Sequence, residues 1–181
     1  MRAYLLSIML LIAAGVAGCN DTSSDTVITY ISTQTSDGSI AIHAHGRADA
    51  NITAAGDLNI AGTKVTVTSE QRDLLKQYYI TALMMRDHGI ATGKAGMATA
   101  GKALSSVASG LASGNTDKID SEVNASTANV EAHAALICND LADLRSTQEK
   151  LLASQLPAFQ PYALIKANEA DDCRGRKIYR E

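Results

Sequence analysis

The chain has no tryptophan, a single phenylalanine (Phe159) and only two prolines, Pro157 and Pro161, among 181 residues. Aromatics make up 4% of it, too few for a sugar-stacking platform or an aromatic-lined pocket. Charge is sparse and nearly balanced, at -3, without the basic face of a nucleic-acid binder or the acidic excess of a solvating tail. The chain is nevertheless 46% hydrophobic, too apolar for wholesale disorder. Alanine supplies much of that fraction, which favours closely packed helices over a bulky core. Also missing are a Cys-x-x-Cys pair, a phosphate-binding loop and any nucleophile–base–acid set, so no enzymatic chemistry or cofactor is expected.

The N-terminus indicates a compartment. Arg2 precedes an apolar run from Leu5 to Ala17, the length of a signal-peptide core and too short to span a bilayer. The run ends Val16-Ala17-Gly18-Cys19, which resembles the lipobox of bacterial lipoproteins. That resemblance implies cleavage before Cys19 and acylation of its thiol and amine, with outer-membrane lipid as the partner of the acyl chains. Each buried CH₂ would contribute roughly 0.8 kcal/mol to anchoring. Asn20 stands where Asp would be the usual inner-membrane retention signal, so the expected location is the periplasmic face of the outer membrane. Residues 1–18 are thus the signal and 19–25 a polar tether; losing Arg2 takes the net charge to about -4. The remaining cysteines, Cys138 and Cys173, form an even pair in an oxidising compartment and are expected to be disulfide-bonded.

Residues 26–68 read as a β-meander of four or five short strands. Ile40 and Ile42 alternate with Ser39, Ala41 and His43; Leu58 and Ile60 alternate with Asp57 and Asn59; Ala61-Gly62-Thr63 is a turn before Val65 and Val67. So small a sheet needs a helix over its apolar face. His43 and His45 share one face, which makes them a weak candidate metal pair; no Cys, Glu or further His lies close in sequence.

Residues 69–160 read as a long antiparallel αα-hairpin, giving an α+β fold with a short tail, 161–181. Thr68 and Gln71 have capping-box spacing, and no proline interrupts the chain before Pro157. Leu83, Ile90, Met97, Leu104 and Leu111 recur every seven residues, each preceded by a small residue: Ala82, Gly89, Gly96, Ala103, Gly110. On the second helix, Val123, Val130, Ile137, Leu144 and Leu151 have the same spacing. The expectation is a left-handed pair with layers Leu111–Val123, Leu104–Val130, Met97–Ile137, Ile90–Leu144 and Leu83–Leu151. The glycines then imply close backbone approach, because each costs about 1 kcal/mol against alanine. Phe159 is expected to return to Leu75, Tyr78 or Tyr79.

Two further readings compete. Gly89-x-x-x-Gly93 and Gly110-x-x-x-Gly114 have the spacing of membrane helix dimers, although Lys94 and Lys102 interrupt the segment. Arg174, Arg176, Lys177 and Arg180 make the tail basic, fit either for anionic lipid A or peptidoglycan or for solvent.

The stretch Gly56-Asp57-Leu58-Asn59-Ile60-Ala61-Gly62-Thr63-Lys64-Val65-Thr66-Val67-Thr68-Ser69-Glu70-Gln71-Arg72 resembles the core of the YggN family of bacterial envelope proteins. Members pair a short strand meander, closing on a Gly-Lys-x-Val/Leu-x-Leu-Thr-x-x-Gln-Arg stretch, with a long helical region. Here Thr63 separates Gly62 from Lys64. The resemblance implies an envelope location and this architecture, and supplies no catalytic residues. The functional expectation is a non-enzymatic envelope lipoprotein that acts as an interaction or structural module for another envelope protein. Its alternatives are a membrane-active glycine-rich helix and a metal or small-ligand site at the histidine pair.

Overall fold

The computed structural model describes residues 31–32, 35, 37–113 and 117–175, with side chains left undescribed at 31–32, 110–126 and 175. The leader, Cys19, the tether and the last six residues lie outside it, as do the side chains of Gly110, Leu111 and Val123. Five short strands come first: β1 (Ile31–Ser32), β2 (Ile40–Ile42), β3 (Ala50–Ile52), β4 (Leu58–Ile60) and β5 (Thr63–Lys64). They pair antiparallel in sequential order, with Ile40 opposite Ile52 and Ile52 opposite Leu58. Gly38, Gly46, Gly56 and Gly62 all have positive φ, so the turns fall where glycine permits a left-handed backbone. The last strand is shorter than its alternation suggests. Val65 donates its N–H to Leu58, and the chain then leaves the ladder to enter the first helix.

Helix α1 runs Ser69–Ser113 and α2 runs Asp117–Ala153, packed against each other as a hairpin. The capping box forms: Thr68 Oγ1 accepts the Gln71 N–H at 3.2 Å and Gln71 Oε1 accepts the Thr68 N–H at 3.0 Å. The Gln71 amide also donates to the Ser154 carbonyl at 2.9 Å, tying the start of α1 to the end of α2. Beyond α2, a 3-10 segment (Pro157–Tyr162) and a short α3 (Glu169–Gly175) fold back.

The core lies at this closed end, the head. Ile40, Ile42, Ala50, Ile52 and Leu58 of the sheet meet Leu75, Tyr78, Ala82 and Met85 of α1, with Leu141, Leu144 and Leu151 of α2. Phe159 is fully buried and stands edge-on to Tyr78 at a centroid distance of 5.6 Å. The Tyr79 hydroxyl donates to the Gly38 carbonyl and that of Tyr162 to the Ala48 carbonyl, joining helix and tail to the turns of the sheet.

The hairpin differs from expectation in face and in register. Ile90, Met97 and Leu104 point outward, exposed by 43%, 71% and 75%, and Leu83 is only half-buried. The small positions one residue earlier lie nearer the seam: Ala82 is buried and Gly96 and Ala103 half-buried, although Gly89 is exposed. Thr92 and Thr99 are half-buried too, each hydroxyl bonded to its own helix. On α2 the expected positions are the inner ones, with Leu144 and Leu151 buried and Val130 and Ile137 half-buried. The described glycines of α1 do not mark close approach. A Cβ built on Gly89, Gly93, Gly96 or Gly101 meets no atom within 4 Å. The expected layers would set His88 beside Ser146; instead it bonds Asp140, six residues away. A seven-residue repeat keeps the same face after a slip of one repeat, so apolar spacing alone does not select the layers.

Candidate functional site

The head core reaches Met85 on α1 and no further along that helix, and α2 enters it at Leu141. From Arg86 to Ser113, α1 therefore extends roughly 40 Å as an arm, at 1.5 Å per residue. Along it Ile90, Met97, Leu104 and Val107 are exposed, while Lys94 and Lys102 are its charged side chains between His88 and Ser113. Apolar side chains aligned on one solvent-facing side of a helix are a candidate contact surface. Within the described residues, no helix is long and apolar enough to cross a membrane.

At the base of the arm His88 Nδ1 and Asp140 Oδ2 are 2.5 Å apart, bridging α1 and α2, with Asp140 almost wholly buried. His133 Nδ1 is buried without a hydrogen-bond partner among the described residues. Neither feature carries a periodic signal, so spacing alone did not single out these positions. Cys138, on the same stretch of α2, is bonded to Cys173 of α3, with Cα atoms 5.5 Å apart. The tail is further held by Gln148, whose side-chain amide donates to the Ile165 carbonyl at 2.9 Å and accepts its N–H at 3.0 Å.

The histidine pair of the sheet is not brought together as a ligand set. His43 Nδ1 shares a 2.7 Å hydrogen bond with Asp49, and His45 is exposed in the following turn. Among the described residues no group of three or more His, Cys, Asp or Glu is placed to hold a metal.

Asp57, within the stretch that carries the family resemblance, binds Lys64 Nζ at 2.8 Å and also the Arg72 guanidinium of α1. These two cations hold its carboxyl below the usual range, the Lys64 hydrogen bond contributing most. Next to it Gly56 has φ +77°, and a Cβ there would stand 2.3 Å from the Arg72 carbonyl oxygen. Gly56, Asp57, Lys64 and Arg72 thus form a joint between sheet and helix, a structural role for the motif. Asp37 is pulled down to about 2 by the Thr35 hydroxyl and then by the N–H and hydroxyl of Ser39, within one turn. Burial pushes the Tyr78 phenol up, which suits a core residue.

Comparison with family models, curated proteins and solved structures returns no match. The functional reading rests on the chain itself.

Proposed function

We propose that this chain is a non-enzymatic envelope lipoprotein, anchored through Cys19 to the periplasmic face of the outer membrane, whose helical arm is an interaction module. The observation that supports it best is the outward stripe of Ile90, Met97 and Leu104 on a helix that has left the head core behind. Three large apolar side chains in water are costly, at about 25 cal/mol per Å². A partner that covers them recovers that free energy. The signal-like leader and the Cys138–Cys173 bond both suit an oxidising compartment.

Two measurements test the reading. Palmitate labelling in bacteria should acylate the wild-type chain and not Cys19→Ala. A photo-crosslinking residue at Met97 should trap a macromolecule on intact cells, whereas the same probe at exposed Lys64, on the sheet, should not. A silent Met97 probe in well-expressed protein overturns the interaction-module reading.

A further inference from the structure

We infer that the arm of α1 is seated inside out and rolls about Gly89, turning its apolar stripe in against α2 of the same chain when no partner covers it. The roll regulates the outward stripe, and it rests on the interaction-module reading for what the outward state serves.

Ile90, Met97 and Leu104 precede Thr92, Thr99 and Ser106 by two residues each, about 200° round the helix. The first three are exposed and the second three half-buried, so the stripe faces away from the seam with α2. Between Gly89 and Ser109 every half-buried residue of α1 is alanine, glycine, threonine or serine. Across from these small side chains α2 turns Val130 and Ile137 inward. His133 Nδ1 is buried on the same stretch without a partner, a further cost of this seating.

The register makes a second seating available. His88 is level with Asp140, and the helices run in opposite directions at 1.5 Å per residue. Ile90 therefore stands within about 2 Å of the height of Ile137, and Met97 of the height of Val130. A roll in place, without sliding, layers the two seven-residue repeats on each other, Ile90 on Ile137 and Met97 on Val130. Lys94, about 60° round from Met97, stays at the rim of such a seam, and Lys102, about 140° round, faces water. The Thr99 hydroxyl bonds the Ala95 carbonyl within the arm and leaves the old seam with that bond intact.

The pivot follows from the same register. His88 is tied to Asp140 and Ile90 is the first stripe residue that must turn, so the backbone gives way at Gly89 between them. The roll opens the turn in which the Thr92 hydroxyl bonds the His88 carbonyl. Gly89 is exposed, a Cβ there would meet no atom within 4 Å, and glycine holds a helix less firmly than alanine. At the far end of the arm the sequence places Gly110 and Gly114 before α2.

The test uses the full chain, purified in detergent at high dilution, with a short diazirine side chain at Met97. The expected product is an intrachain adduct in the α2 peptide that holds Val130, a contact the outward seating does not allow. Gly89→Ala should lower that adduct by about fivefold, the factor that one glycine-to-alanine change in a helix supplies. Quenching by water alone, adducts of twice the chain mass, or an adduct undiminished in Gly89→Ala would each overturn the roll. The same probe on intact cells separates the two readings. A trapped macromolecule without the intrachain adduct overturns the roll and leaves the interaction module with a fixed arm. The intrachain adduct without a trapped macromolecule supports the roll and overturns the module.

Discussion

Gly56 and the glycines of the arm have opposite environments, and substitution should tell them apart. At Gly56 both the positive φ and the Arg72 carbonyl exclude a side chain, so Gly56→Ala should destabilise by about 1–3 kcal/mol in chemical denaturation. At Gly96 the helix is regular and the space beyond it open, so Gly96→Ala should stabilise, by up to about 1 kcal/mol. A loss at Gly96 would reinstate close helix approach. Asp57 gives a pH signature. Its carboxyl is depressed in the folded protein, so its contribution is present above the unfolded value, near 4, and is lost as pH falls through the lower folded value. Thermal melts from pH 6 down to 2.5 should therefore show part of the acid destabilisation of the wild type missing in Asp57→Asn, with the variant already weaker at neutral pH.

At the scale of elements, head and arm are built on different principles. The head half of α1 buries Leu75, Tyr78, Ala82 and Met85, whereas beyond it the inner positions, after His88, are small: alanine, threonine, glycine and serine. Amide exchange should be slow from Leu75 to Met85 and faster by orders of magnitude from Gly89 to Ala108, since protection follows buried apolar contact. Equal protection in the two halves would contradict that division. The same contrast explains what could be read from the chain. The helix start at Ser69 was legible because a capping box is local chemistry, and the return of Phe159 to Tyr78 because two prolines end α2 beside the start of α1. The face of α1 was not. Leu83, Ile90, Met97 and Leu104 form the stronger apolar repeat, and apolar periodicity identifies a stripe without saying whether it meets its own chain or another. The His88–Asp140 bond that helps set the layers is a single long-range polar pair, and no periodicity announces such a pair.

For the whole molecule, the Cys138–Cys173 bond spans a sequence separation of 35 and secures the tail to α2. On the chain-entropy relation, removing it by Cys138→Ser with Cys173→Ser should cost about 3 to 4 kcal/mol, read as a lower denaturation midpoint. The Gln148–Ile165 amide pair and the Tyr162–Ala48 hydrogen bond should hold the tail in place in the native state without it. The compartment and the partner belong to this scale too, and the leader that speaks to the first lies outside the described residues.

The Gln71–Ser154 hydrogen bond has a mechanical meaning. Because one residue fastens the entrance of α1 to the exit of α2, the hairpin is clamped at its head, like the root of a cantilever. A load on the arm is then delivered to that root, where Arg72 grips Asp57 beside the sheet.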